Sequence, residues 1–198
     1  MSAVRACHDP PINMYTLSKV EVKTINDVIE KSIDLFTKHN VHGGYEIGTG
    51  SSLWLHLREF NSKFLEYNVN VKPIIDVVEK FRQSNFPDAK IGRCYVHRLL
   101  PGQLVYRHKD LIDSVYFQIT KRFQLFLNIP NGVYIESNPY PSEDSIFLFN
   151  HKENHEYKNN SNETLAFVVF DLCDPSWMNT TWENIEKHAP DLTSNIVK

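Results

Sequence analysis

The sequence predicts a mainly β fold, a sandwich or barrel of short strands braced by helices from the N-terminal half. Two observations carry this. From Ile91 onward the chain breaks into β-rich runs separated by turn residues at close intervals, the pattern of an antiparallel sandwich or barrel. The helix-like apolar stripes are confined to the first half. No repeat or linker separates the two halves, so the helices are expected to brace the β core within one domain, residues 1–198. Within it, 1–90 is the helix-rich bracing region, 91–175 the core, and 176–198 a C-terminal tail.

Each element has a local reason. Thr24 can cap a helix carrying Ile25, Val28, Ile29, Ile33 and Phe36 on one face, with Asp27 at the capping-box position. Leu53, Leu55 and Leu57 alternate with Trp54 and His56, which predicts a strand, with a short helix after it. A second helix is expected from Pro73, with Ile74, Val77, Val78 and Phe81 as its stripe and an end before Asn85 to Pro87. The predicted strands of the second half are Arg93 to Leu100, Gln103 to Arg107, Arg122 to Ile129, Val133 to Glu136, Ser145 to Phe149 and Thr164 to Leu172. Pro101-Gly102 and Pro130-Asn131-Gly132 supply turns between them.

Composition narrows the function. The 198 residues hold 21 Lys and Arg against 24 Asp and Glu, a net charge of −3, without the basic excess that general nucleic-acid binding needs. With 41% hydrophobic and 12% aromatic residues, disorder is excluded. A chain of this length buries about 70% of its unfolded surface. The longest apolar run, Leu165 to Phe170, is far short of the ~20 residues that span a bilayer, and the N-terminus lacks an apolar segment behind a basic start. A cytoplasmic, membrane-free protein is expected. The three scattered cysteines, Cys7, Cys94 and Cys173, suit a reducing compartment and neither a disulfide framework nor a thiolate metal site. Three N-x-S/T sequons, at Asn159, Asn162 and Asn179, point weakly the other way.

The chemistry gathers around His108-Lys109-Asp110. Residues two apart on a strand share a face, so His108 and Asp110 can reach one point, and a later antiparallel strand could bring His155 beside them. Two imidazoles and a carboxylate on one face of a metal leave three coordination positions open, the arrangement of non-haem Fe(II) oxygenases. The spacing alone also suits a surface turn.

The surrounding residues add to this. Arg98-Leu99-Leu100-Pro101-Gly102, His108-Lys109-Asp110, Arg122 to Leu127, Phe149-Asn150 ahead of His155, and Asn159-Asn160-Ser161 ahead of Phe170-Asp171-Leu172 occur in order. This ordered set, from Arg93 to about Pro175, resembles the aspartyl/asparaginyl β-hydroxylase-like 2-oxoglutarate oxygenases. The resemblance implies a double-stranded β-helix (cupin-type jelly roll) and an Fe(II)- and 2-oxoglutarate-dependent hydroxylase. It further implies O₂ as co-reactant, ascorbate as a support, and an amino-acid-type substrate, free or within a peptide. Carried over residue by residue, it makes His108, Asp110 and His155 the iron ligands and places Arg122 and Gln124 at the 2-oxoglutarate pocket. A planar guanidinium is a natural clamp for carboxylates.

The chain departs from the family at two places. The arginine expected about ten residues past the second histidine is Leu165, which leaves Arg122 to hold the carboxylate, with Arg93, Arg98 or Lys158 as possible helpers. The family's Gly-Glu before the strand leading to that histidine is Glu143-Asp144. Two further readings therefore stay open: a cupin-type metalloenzyme without 2-oxoglutarate, and a non-catalytic jelly-roll module binding a ligand or partner. Tyr95 and His97 suit core or pocket lining equally. His151, in a polar loop, is expected to be solvated. Trp177 and Trp182 are expected to anchor the tail.

Overall fold

A computed structural model of the chain describes residues 13–38, 52–58, 63–110, 119–137, 139–177, 179–181 and 183–184. Cys7, Trp182 and most of the tail lie outside the described residues. Ten strands and two α-helices are present among those described: β1 Asn13–Thr16, α1 Lys19–Lys31, β2 Thr37–Lys38, β3 Leu53–Arg58, α2 Lys72–Asn85, β4 Lys90–Leu99, β5 Leu104–His108, β6 Thr120–Phe126, β7 Val133–Glu136, β8 Ser145–Phe149, β9 His155–Asn159 and β10 Leu165–Cys173.

The strands form two antiparallel sheets, a larger one in the order β1-β8-β6-β10-β4-β3-β2 and a smaller one in the order β5-β9-β7. From β4 to β10, consecutive strands alternate between the sheets. This alternation is the winding of a jelly roll, as the sequence leads one to expect. The N-terminal region adds β1, β2 and β3 to the larger sheet as well as its helices.

Strand alternation divides the apolar side chains into two layers. Val96, Phe123, Leu125, Ile146, Val168 and Phe170 of the larger sheet pack with α1 and α2 in one cluster. Tyr95, Phe126, Phe147 and Phe167 face the other way and meet Val105, Ile135 and Tyr157 of the smaller sheet. Phe81 of α2 is fully buried and sets its ring edge-on against Phe123 at 5.0 Å and Phe170 at 5.6 Å. The helices therefore brace the outer face of the larger sheet, and the space between the sheets is a separate interior.

The helices differ from expectation in three details. Ser18, not Thr24, caps α1: Glu21 N–H donates to Ser18 Oγ and Ser18 N–H to the Glu21 carboxylate, a complete capping box. Thr24 lies inside the helix, its hydroxyl bonded to the Val20 carbonyl at 2.8 Å, and Ile33 falls in a 3-10 turn after the helix has ended. α2 begins at Lys72 with Pro73 in its first turn and buries all four residues of the expected stripe. The short helix expected after β3 is absent from residues 63–71.

Candidate metal centre

β5 and β9 lie side by side in the smaller sheet, and their register pairs His108 with His155. Regular alternation from the buried Val105 would send Arg107 inward and His108 outward. The register instead shifts between Val105 and His108, so Tyr106 and Arg107 both face solvent. This β-bulge re-aims His108 into the interior. The two imidazole rings then stand 4.2 Å apart.

Asp110 follows in the turn after β5, anchored by its N–H to the His151 carbonyl at 3.1 Å. Its Oδ1 faces His108 Nε2 at 3.6 Å and His155 Nε2 at 3.9 Å. One ligand atom from each of the three residues lies within 4.8 Å of the others. Both histidines turn Nδ1 back to a carbonyl two residues earlier, His108 to Tyr106 at 2.7 Å and His155 to Glu153 at 3.1 Å. Such bonds place the ring proton on Nδ1 and leave each Nε2 lone pair aimed at the shared point.

The electrostatics suit a cation there. Burial pushes His155 down to about 4, against the pull of Asp110, so its ring is neutral at ordinary pH. Burial also works against charge on His108, but the facing Asp110 carboxylate outweighs it and raises the imidazole. Asp110 is buried too, which opposes ionisation; the Arg122 charge and the His108 contact overcome this and hold its carboxyl well below the usual range. With both rings neutral, as a bound cation beside Asp110 would require, two Nε2 donors and one carboxylate oxygen form a hard N/O ligand set that fits a divalent iron-type ion.

The other candidates are placed differently from expectation. Arg122, on β6, grips two carboxylates of the chain itself. Nε and Nη2 reach Asp171 at 2.8 and 2.9 Å, and Nη1 reaches Asp110 Oδ2 at 2.6 Å. The Asp110 bond leaves Oδ1 for the shared point. Gln124, two residues deeper, exchanges hydrogen bonds with the Tyr157 hydroxyl at 3.1 and 3.2 Å. Arg98 sits with Cys94 and Val96 on the opposite face of β4, its guanidinium over Phe36 at 5.0 Å. Lys158 points outward over Tyr134 at 5.5 Å. A one-residue change in strand parity separates Arg98 from the interior.

Two other residues also differ from expectation, and a third joins the site. His151 is buried, 5% exposed, not solvated. Asn159 is fully buried and its amide donates to the Leu99 and Glu163 carbonyls, which is incompatible with a glycosylation site. Asp171 was not singled out by sequence. The available signal was a lone acid in β10, a strand of nine buried residues, directly across from Arg122. Tyr95 and His97 line the interior, where Trp54 stacks on Tyr95 at 4.3 Å.

No helix among the described residues is long and apolar enough to cross a membrane. No protein-family model and no curated protein matches the chain. Solved structures do. A 2OG-Fe(II) oxygenase-family oxidoreductase from Burkholderia pseudomallei superposes with a TM-score of 0.56 at 11% identity, over 79% of this chain and 80% of that one. A Pseudomonas putida prolyl-4-hydroxylase gives 0.54 at 10% identity, over 80% and 88%. A Trichoplax adhaerens prolyl hydroxylase, in complex with a hypoxia-inducible-factor peptide fragment, gives 0.53 at 13% identity, over 83% of each chain. At these identities the shared property is architecture, and the chain has the double-stranded β-helix fold of these oxygenases.

Proposed function

We propose that the protein is an Fe(II)- and 2-oxo-acid-dependent oxygenase that hydroxylates an amino-acid-type substrate, free or within a peptide. The observation that carries this is the convergence of His108 Nε2 and His155 Nε2 on Asp110 Oδ1. The fold supports it, as does the ordered resemblance to the aspartyl/asparaginyl β-hydroxylases. 2-Oxoglutarate is the 2-oxo acid that this resemblance implies, and the Burkholderia protein is of the 2OG-Fe(II) oxygenase family.

Bound Fe(II) would supply open positions for a 2-oxo acid and O₂, with one oxygen atom ending in the acid left by decarboxylation and the other in the new hydroxyl. The chain's part is to hold three ligand atoms on one side. His108 and His155 are tethered at Nδ1, and Arg122 holds Asp110 through Oδ2. Phe149 stands edge-on to His155 with ring centres 4.9 Å apart, walling the imidazole from water. His108 keeps 20% of its side chain exposed, which leaves an approach to the site.

The test is metal binding followed by turnover. Mn(II) should raise the melting temperature of the wild type and not of His108→Ala. With Fe(II), ascorbate and O₂, the wild type should release CO₂ from a 2-oxo acid above the His155→Ala background. Metal stabilisation without 2-oxo-acid binding would favour a cupin-type metalloenzyme, and neither would favour a non-catalytic module.

A further inference from the structure

The metal ligands fit their ion, but the interior behind them does not fit a second carboxylate. β9 and β10 run from the metal ligands to the far end of the interior and back. His155, Tyr157 and Asn159 point inward along the first, and Leu165, Phe167, Val169 and Asp171 along the second. Inward of Arg122, the described residues that these strands and β4 to β8 turn into the interior include no Lys or Arg. Leu165 is fully buried and pairs with the equally buried Leu99 across the sheet. They share one apolar cluster with Val105, Phe126 and Phe167. The polar groups on the way are the neutral Gln124–Tyr157 pair, Tyr95, and the His97 ring 4.9 Å from Phe167.

Arg122 does not compensate. Three of its N–H donors already bind Asp110 and Asp171, so these three side chains sum to one negative charge. A divalent metal ion would turn this end of the site positive, with Arg93 of β4 adding to it near Tyr95, and the 2-oxo acid's own carboxylate would be drawn there. A second carboxylate, pushed among Leu99, Leu165 and Phe167, would be a buried anion with no Lys or Arg beside it among the described residues and only the His97 ring nearby.

We propose that the 2-oxo acid this site takes is a monocarboxylate with an uncharged, largely apolar tail, in preference to the dicarboxylate 2-oxoglutarate. This rests on the oxygenase reading and deepens it. The tail would lie toward Leu165, and Gln124 and Tyr157 would face it midway.

Calorimetric titration of the Mn(II)-loaded protein with 4-methyl-2-oxopentanoate and with 2-oxoglutarate tests the proposal. The monocarboxylate should bind at least about tenfold more tightly, a conservative reading of the cost of an unpaired buried charge. Equal or tighter binding of 2-oxoglutarate overturns the preference and leaves the oxygenase reading standing. Binding of Mn(II) with no binding of either acid overturns both. Leu165→Arg should shift the preference toward 2-oxoglutarate, and a folded variant that keeps the wild-type ratio counts against the proposal. If an arginine at this buried position unfolds the protein, the wild-type ratio decides alone.

Discussion

Arg122 and Asp171 face each other across neighbouring strands, joined by two parallel N–H bonds of 2.8 and 2.9 Å, and the same guanidinium holds Asp110 at 2.6 Å. The pair ties the larger sheet to the carboxylate that faces both histidines. A planar fork clamped on one side has little freedom on the other, so the direction of Asp110 Oδ1 is set from β10.

Asp171→Asn should therefore weaken Mn(II) binding about 10- to 100-fold while the fold persists, the usual effect of losing a partner that orients a metal ligand. Calorimetric affinity is the measurement. A variant with a lower melting temperature but wild-type affinity would show that the pair only stabilises the sheet.

Phe81→Ala should destabilise the protein by about 3–5 kcal/mol, because Phe81 is fully buried among Phe123, Phe170, Phe86 and Tyr15 and the void cannot close. Urea denaturation measures this. The cavity would lie on the helix side of the larger sheet, so Mn(II) affinity of the folded fraction should be unchanged.

The α1 cap carries a pH signature. Hydrogen bonds from Ser18, then the Lys80 contact, lower Glu21 from an ordinary 4.5 to about 2. A depressed carboxylate stabilises the fold fully above its unfolded value and loses that contribution as pH falls toward its folded value. Glu21→Gln keeps an acceptor for Ser18 N–H but loses the charge, and should cost about 0.3–1 kcal/mol at pH 7, the usual worth of a carboxylate at a helix N-terminus. Its melting-temperature gap from the wild type should narrow steadily below pH ~4.5; a pH-independent gap would contradict the assignment.

Asp144 predicts the opposite sign. It adopts a φ of 57°, its Oδ1 is buried without a hydrogen-bond partner, and burial raises its carboxyl. The charged form is thus worse placed in the folded state, a cost present at neutral pH and relieved as pH falls through the folded value. Asp144→Gly removes both the strained φ and the buried oxygen. It should stabilise by up to about 1 kcal/mol at pH 7, with a smaller gain in acid; thermal melts at the two pH values compare them.

Much of the architecture was legible because its signals are local. Val133–Glu136 and Ser145–Phe149 are strands with the expected ends, and α2 buries the four residues of its stripe. Alternation and turn residues are written in neighbouring positions, so a sequence displays them. The α1 boundary was not legible in the same way: Thr24 with Asp27 fits the capping pattern, but the capping box forms more than one turn earlier, at Ser18 and Glu21.

For the site, the sequence and its family resemblance named His108, Asp110 and His155 as candidate ligands, with Leu165 where an arginine is expected, and the three candidates do come together. Tertiary structure alone decided which way they face and what they touch. Period-two alternation assigns faces only until a bulge intervenes, and the bulge before His108 arises from how β5 meets β9. The same parity rule places Arg98 toward the helices. Arg122 found Asp171 and Asp110 because two distant segments close around it. Ion pairs of that kind depend on three-dimensional proximity, and sequence separations of 12 and 49 residues give no local sign of it.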